Sequence, residues 1–106
     1  MKIQGTNISM IRGDDESITV TIAPTPFAAG DTVFLTVRED AEEPIVFQKV
    51  VTSFDDGAAI IPIDHSDTEG KDFGDYVYDI QVTWANGKNK TLVPLSRFTL
   101  EEEATY

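Results

Sequence analysis

The sequence predicts an all-β protein: an antiparallel β-sandwich of seven to eight short strands with one short helical turn. Three observations carry this prediction. Several runs alternate apolar and polar residues with a period of two, the period of side chains along a strand. Turn residues separate these runs at roughly 8–12-residue intervals, the spacing of sandwich and barrel folds. A single polar insert carries helix-capping chemistry, and nothing else in the chain has the period of a helix.

The elements follow in order. A first strand precedes the turn Arg12-Gly13-Asp14-Asp15. SITVTIA, residues 17–23, puts Ile18, Val20 and Ile22 on one face and two threonines on the other. Ala28-Ala29-Gly30-Asp31 leads into TVFLTVR, residues 32–38, where Val33, Leu35 and Val37 share a face and Phe34 lies opposite. IVFQKVVT, residues 45–52, alternates less cleanly because Val50 and Val51 are adjacent. Glu42-Glu43-Pro44 and Asp55-Asp56-Gly57 bracket it, and AAIIPI, residues 58–63, is a short apolar run.

DHSDTEGKD, residues 64–72, is the polar insert. Asp64 or Ser66 is placed to cap one helical turn and Gly70 to end it, so the insert is expected to cross from one sheet to the other. Tyr76, Tyr78, Ile80, Val82 and Trp84 form the longest one-sided stripe, expected in the core. Asn86-Gly87 then predicts a tight hairpin with a type I′ turn, because both central residues of that turn need positive φ. The returning strand spans residues 88–93. A last one runs over 97–102 with Phe98 and Leu100 inward. Pro62 and Pro94 belong at strand ends or edges, since proline cannot donate to the ladder. The expected core is Ile18, Val20, Ile22, Val33, Leu35, Val37, Tyr78, Ile80 and Val82.

Composition narrows the function. The 106 residues suffice for one domain, 1–106. Eight Lys and Arg stand against 19 Asp and Glu, a formal charge of −11. Nucleic acid and anionic membranes both require clustered cations, and Lys88 with Lys90 is the one tight pair, so neither is an expected partner. There is no cysteine, which removes disulfides, thiolate-held zinc and thiol catalysis. No signal peptide or membrane-spanning run is read from the sequence.

The chemistry-bearing residues do not assemble into a catalytic pattern. Asp72-Phe73-Gly74 spells the metal-binding tripeptide of protein kinases, but no Gly-rich loop accompanies it and the chain is far too short. His65 is the one histidine, beside Asp64, Ser66 and Asp67, and is read as part of an exposed capping turn. An EF-hand loop started at Asp64 fails because Glu69 occupies the glycine position. Asp14-Asp15-Glu16 and Asp55-Asp56 are turn acids that offer at most a casual cation site between loops. Arg12-Gly13-Asp14 spells an adhesion tripeptide and is read as a turn. Asn7-Ile8-Ser9 and Asn89-Lys90-Thr91 match the glycosylation pattern by chance. The expectation is therefore no enzyme, no cofactor and no metal.

Asp72-Phe73-Gly74-Asp75-Tyr76-Val77-Tyr78 matches the Asp-x-Gly-x-Tyr-x-Cys pattern of immunoglobulin-like sandwiches, with Tyr78 at the Cys position. Tyr76 is then a tyrosine-corner residue, its hydroxyl bonding backbone a few residues upstream. A wider set of segments is spread in order along the chain: Gly13-Asp14 with the Ile18–Ile22 alternation, GDTVFLTVR at 30–38, GDYVYDIQV at 74–82, Asn86-Gly87-Lys88, and Pro94 with RFTL at 97–100. Together they resemble the N-terminal β-sandwich of baseplate upper proteins and related tail or virion proteins of phages of Gram-positive bacteria. The resemblance implies a non-enzymatic virion structural protein, a baseplate- or tail-associated adaptor encoded by a phage or prophage. It would be made in the bacterial cytoplasm, work through protein partners and form homo-oligomers. The helices and receptor-binding parts that follow this domain in the family have no counterpart in residues 1–106, so a host-receptor role is not implied. The alternative is a carbohydrate- or cell-surface-binding module, for which Phe34 and Trp84 are the candidate platform. Self-association would use sheet surface, with the uncharged runs 45–47 and 58–63 as candidates.

Overall fold

The computed structural model describes residues 1–102; Glu103, part of the acidic run at the C-terminal end, lies outside them. Eight strands and one helical turn follow each other as β1 (Lys2–Gln4), β2 (Asn7–Ile11), β3 (Glu16–Val20), β4 (Thr32–Arg38), β5 (Ile45–Val51), β6 (Ala59–Ile63), α1 (His65–Thr68), β7 (Gly74–Thr83) and β8 (Asn89–Glu101). They form two sheets of unequal size. The large sheet has the order β1-β2-β8-β7-β4-β5, and the small one pairs β3 with β6. The fold is an all-β sandwich.

The period-two pattern sets the faces as expected. Val33, Leu35 and Val37 of β4 are buried and lie directly opposite Val82, Ile80 and Tyr78 of β7. Phe34 points the other way and is half-buried beside Val50 and Gln81. The small sheet contributes Ile18, Ala59, Ile61 and Ile63 to the core, while Ile60 and Pro62 face out. Phe98 packs edge-on against both Phe47 (6.0 Å) and Tyr78 (6.1 Å).

Five expectations are corrected. The segment ahead of Arg12 is a hairpin of two strands, because Gly5 (φ 63) takes the first central position of a two-residue turn between Gln4 and Asn7. β2 then pairs with β8 in parallel, so the large sheet is mixed and not wholly antiparallel. The Asn86-Gly87 turn is not type I′: Gly87 alone has positive φ (86). Its N–H donates to the Trp84 carbonyl (2.8 Å), and Trp84 N–H donates to Lys88 O (2.7 Å). That is a three-residue loop closed by a glycine bulge.

The strands expected at 88–93 and 97–102 are one strand, β8. Its register against β7 shifts between the pairs Ile80–Val93 and Tyr78–Ser96, and Pro94 sits at the shift, where the ladder is already broken. Lastly, Val20 and Ile22 are half-buried and not fully inside. β3 ends at Val20, and among the described residues no strand flanks it on the side away from β6 to complete the roof.

The crossing from β6 to β7 sits where the sequence put it. Asp64 has extended backbone at the N-cap, and its N–H donates to Asp67 Oδ2 (2.8 Å). Gly70 (φ 78) follows the turn and reverses the chain. Thr68 is fully buried, and its hydroxyl accepts the N–H of Gly13 (2.8 Å), which fastens the β2–β3 turn to α1. At the end of the crossing, Tyr76 is buried and its hydroxyl donates to the Asp72 carbonyl (2.6 Å), the expected tyrosine corner.

Candidate functional site

The molecule measures 43 × 29 × 23 Å, and its strands run between two unlike ends. One end gathers the β2–β3 turn, the β4–β5 turn and the α1 crossing. The other gathers the β3–β4, β5–β6 and β7–β8 loops.

The first end is acidic: Asp14, Asp15, Glu39, Asp40, Glu42 and Glu43 all lie in its turns. His65 sits here with its Nδ1 3.0 Å from Asp15 Oδ1, while its backbone N–H donates to the same oxygen (2.6 Å). That hydrogen bond, then the charge of Asp15, raises the imidazole above its usual range. The His65 N–H, then its ring, holds the Asp15 carboxyl below its own. The pair joins the β2–β3 turn to α1 and serves as a clip between segments. Asp64 and Asp67 turn instead toward Lys49, whose Nζ lies 2.8 Å from Asp67 Oδ2 and 3.4 Å from Asp64 Oδ2. The acids next to His65 in sequence are thus committed elsewhere. Among the described residues no group of three or more His, Asp or Glu is placed to hold a metal ion.

The two tripeptides that invite functional readings, Arg12-Gly13-Asp14 and Asp72-Phe73-Gly74, resolve into architecture. Arg12 donates through Nη1 to the Lys71 carbonyl (2.8 Å), and its guanidinium lies 5.0 Å from the centre of the Phe73 ring. Its side chain is therefore packed against the crossing and not extended from the turn for a receptor. Phe73 itself is half exposed, at 50 %. The turn acids Asp14-Asp15 and Asp55-Asp56 lie at opposite ends of the sandwich, so they form no site between loops.

The second end is aromatic and poor in charge. Phe27 stacks on Phe54 (5.1 Å) and approaches Trp84 (6.3 Å). Asp31 is buried there with both oxygens used: Oδ2 accepts from Ala28 N (3.0 Å) and Oδ1 from Ala85 N (3.0 Å). It ties the β3–β4 loop to the β7–β8 hairpin. Gly30 beside it approaches so closely that a Cβ would lie 2.9 Å from the Cβ of Ala85. The Gly30-Asp31 pair is a structural rivet between loops.

Trp84, expected in the core, is half-buried and lines an open cleft with Ile22, Pro24, Leu92 and Lys90. The cleft exists because the small sheet has only two strands and leaves the inner side of β8 unroofed. Lys90, opposite the buried Val82, is on that inner side. Phe34, the other candidate platform residue, faces outward from the large sheet and is not brought near Trp84. The cleft was not legible in the sequence, because it depends on which strands lack a neighbour.

The free edges of β1, β5, β6 and the upper half of β8 carry obstacles to pairing. β1 is three residues long and begins with Lys2. β5 shifts register between Val37 and Arg38 of its partner and turns Lys49 inward. β6 contains Pro62, and the upper half of β8, beyond the reach of β2, contains Lys90 and Pro94. Each is a recognised device against edge-to-edge association. The apolar runs singled out for self-association therefore sit on blunted edges.

Comparison of the chain with protein-family models, with curated proteins and with solved structures finds no match.

Proposed function

We propose that this chain is a non-enzymatic structural protein of a phage or prophage virion, a baseplate- or tail-associated adaptor that works through protein–protein contacts. The virion setting rests on the ordered set of segments that resembles the baseplate upper family. The contact role is supported by one structural observation. The outer face of the six-stranded sheet is broad and mixed, with Ile45 and Val50 exposed around half-buried Phe34, Leu95 exposed across the sheet, and the charged side chains of Arg38, Asp75, Asp79 and Arg97 interspersed. Between them lie hydrogen-bonding side chains such as Thr36 and Gln48 (2.9 Å apart). Apolar residues within a polar field make the kind of flat surface on which protein interfaces are built. With the edges of the six-stranded sheet blunted, this face is better suited to docking than strand addition to that sheet is.

The alternative, a carbohydrate module, asks for several hydrogen-bonding groups around an aromatic platform. The Trp84 cleft offers the side chains of Thr25 and Lys90, which leaves protein contact as the preferred reading.

The test is to purify particles from an induced host carrying the gene and to look for the chain by mass spectrometry and immunogold labelling. Stoichiometric presence at the tail or baseplate is the expected result. Particles that assemble normally without it sink the virion reading.

A further inference from the structure

The chain has three asparagines, and their settings differ. Asn7 precedes the branched side chain of Ile8 in β2, and Asn89 begins β8 with its Oδ1 accepting from the Thr83 hydroxyl (2.6 Å). Asn86 is exposed at the tip of the β7–β8 hairpin and precedes Gly87. Without a Cβ on Gly87, nothing shields its backbone nitrogen from the Asn86 side-chain amide, the carbon that this nitrogen can attack. The fold ties up both groups. The Gly87 N–H donates to the Trp84 carbonyl (2.8 Å), and Asn86 Oδ1 accepts the N–H of Lys88 (3.0 Å). Below them the Trp84 N–H donates to Lys88 O (2.7 Å), and the Ala85 N–H donates to Asp31 Oδ1 (3.0 Å). Nucleophile and electrophile are therefore both held by other partners.

We infer that Asn86 is a site of spontaneous deamidation, held in check by these hydrogen bonds and released when the hairpin tip opens. In the opened tip the Gly87 nitrogen gives its proton to a base in solution and bonds to Cγ of Asn86. The Cγ–Nδ2 bond breaks, Nδ2 takes up a proton and leaves as ammonia, and a succinimide ring closes across the two residues. Water then opens the ring. Attack at Cγ gives aspartate. Attack at the main-chain carbonyl gives isoaspartate, in which Cβ becomes part of the main chain. That extra atom does not fit a loop closed after three residues, so the isoaspartyl product loses the Gly87–Trp84 and Trp84–Lys88 bonds and loosens the tie from Ala85 to Asp31. The Asp56-Gly57 turn supplies the contrast. Asp56 (φ 51) and Gly57 (φ 78) are closed in by both backbone bonds between Asp55 and Ala58 (2.9 Å each). Asp56 carries no amide, so it has no ammonia to lose.

The test is incubation of the whole chain in mildly alkaline buffer, native and in denaturing urea, followed by peptide mapping. Trypsin releases residues 72–88, in which Asn86 is the one asparagine. Each hydrogen bond broken on opening slows the reaction by a factor of about 2 to 10, so the native chain should deamidate at least about tenfold more slowly than the unfolded one. A folded Asp31→Ala protein unties Ala85 and should react at least about twofold faster than the native wild type. Rising urea below the unfolding transition needs no variant: deamidation and hydrogen exchange of the Gly87 amide should increase together. The isoaspartyl form, separated by ion exchange, should melt below the wild type, whereas Asn86→Asp keeps an acceptor for Lys88 and should melt close to it. An unfolded chain that keeps Asn86 intact overturns the site. A native chain that reacts as fast as the unfolded one overturns the protection, as does a folded Asp31→Ala protein that reacts no faster or a deamidation rate that does not follow exchange at Gly87. An isoaspartyl form that melts like the wild type overturns the loosening of this end.

Discussion

The Tyr76 hydroxyl donates to the carbonyl of Asp72 at 2.6 Å, closing the turn that carries the chain from α1 into β7. Burial pushes this phenol above its usual range, and Asp72 adds to the shift, so it remains a protonated donor well into alkaline pH. The bond fixes where β7 begins and hence which of its residues face inward. It also sets Phe73 outside the strand, next to Arg12.

Tyr76→Phe removes that bond and little else. Net hydrogen-bond contributions are about 0.5–1.5 kcal/mol, which predicts a loss of that size in denaturant melts. With about 4–8 °C per kcal/mol in a domain of this size, Tm should fall measurably. An unchanged Tm would mean that the corner does not stabilise the fold.

Ile80→Ala should be far more costly. Ile80 is 2 % exposed, opposite Leu35 at the centre of the large sheet. Truncation leaves a cavity between packed strands, with an expected loss of about 2–5 kcal/mol. A loss under about 1 kcal/mol would contradict its burial.

The Gly30–Asp31 rivet predicts two separate effects. Asp31→Ala leaves the Ala28 and Ala85 N–H groups without their acceptor and should cost about 1–3 kcal/mol. Gly30→Ala combines a positive φ of 97 with a contact to Ala85 that is too short. It should destabilise more than the roughly 0.4–1 kcal/mol that alanine gains at a compatible site. Ala85→Gly should partly relieve it, because the colliding Cβ is then gone. Absence of that relief in a double-mutant cycle would disprove the clash.

The His65–Asp15 pair predicts a pH dependence of definite sign. The folded pKa of His65 is raised, so its contribution is complete below the ordinary value of about 6.5 and is lost as pH rises through the folded value. The folded pKa of Asp15 is lowered, so its contribution is present above the ordinary value of about 3.9 and is lost as pH falls through the folded value. The clip is therefore complete between about pH 4 and 6.5. Raising the pH from 6 to 8 should lower Tm slightly, and His65→Gln should flatten that slope. Both groups are exposed, so the effect is small. A steeper slope in His65→Gln would contradict the assignment.

Lys49→Leu should expose the edge that Lys49 guards. The substitution removes an inward charge from β5 and leaves Asp64 and Asp67 without their cation. More scattering on mild heating is expected from the variant than from the wild type. Equal scattering at matched Tm would show that the bulge near Val46 protects the edge alone.

What the sequence determined by itself is local. Alternation along residues 32–38 and 76–82 assigned the inward faces of β4 and β7 correctly, because side-chain period depends on nothing beyond the strand. The spacing of Asp72, Gly74 and Tyr76 identified the corner, and Asp64 with Gly70 identified the crossing turn, because caps and corners are closed by residues a few positions apart. Tertiary structure alone decided the rest. It paired β2 with β8 in parallel, joined two expected strands through the shift at Pro94, and left β3 and β6 as a sheet of two. It also left Trp84 half exposed beside Lys90. These features depend on which distant edges meet. Backbone hydrogen bonds across an edge are alike for nearly every residue, so strand order leaves almost no trace in the residues themselves.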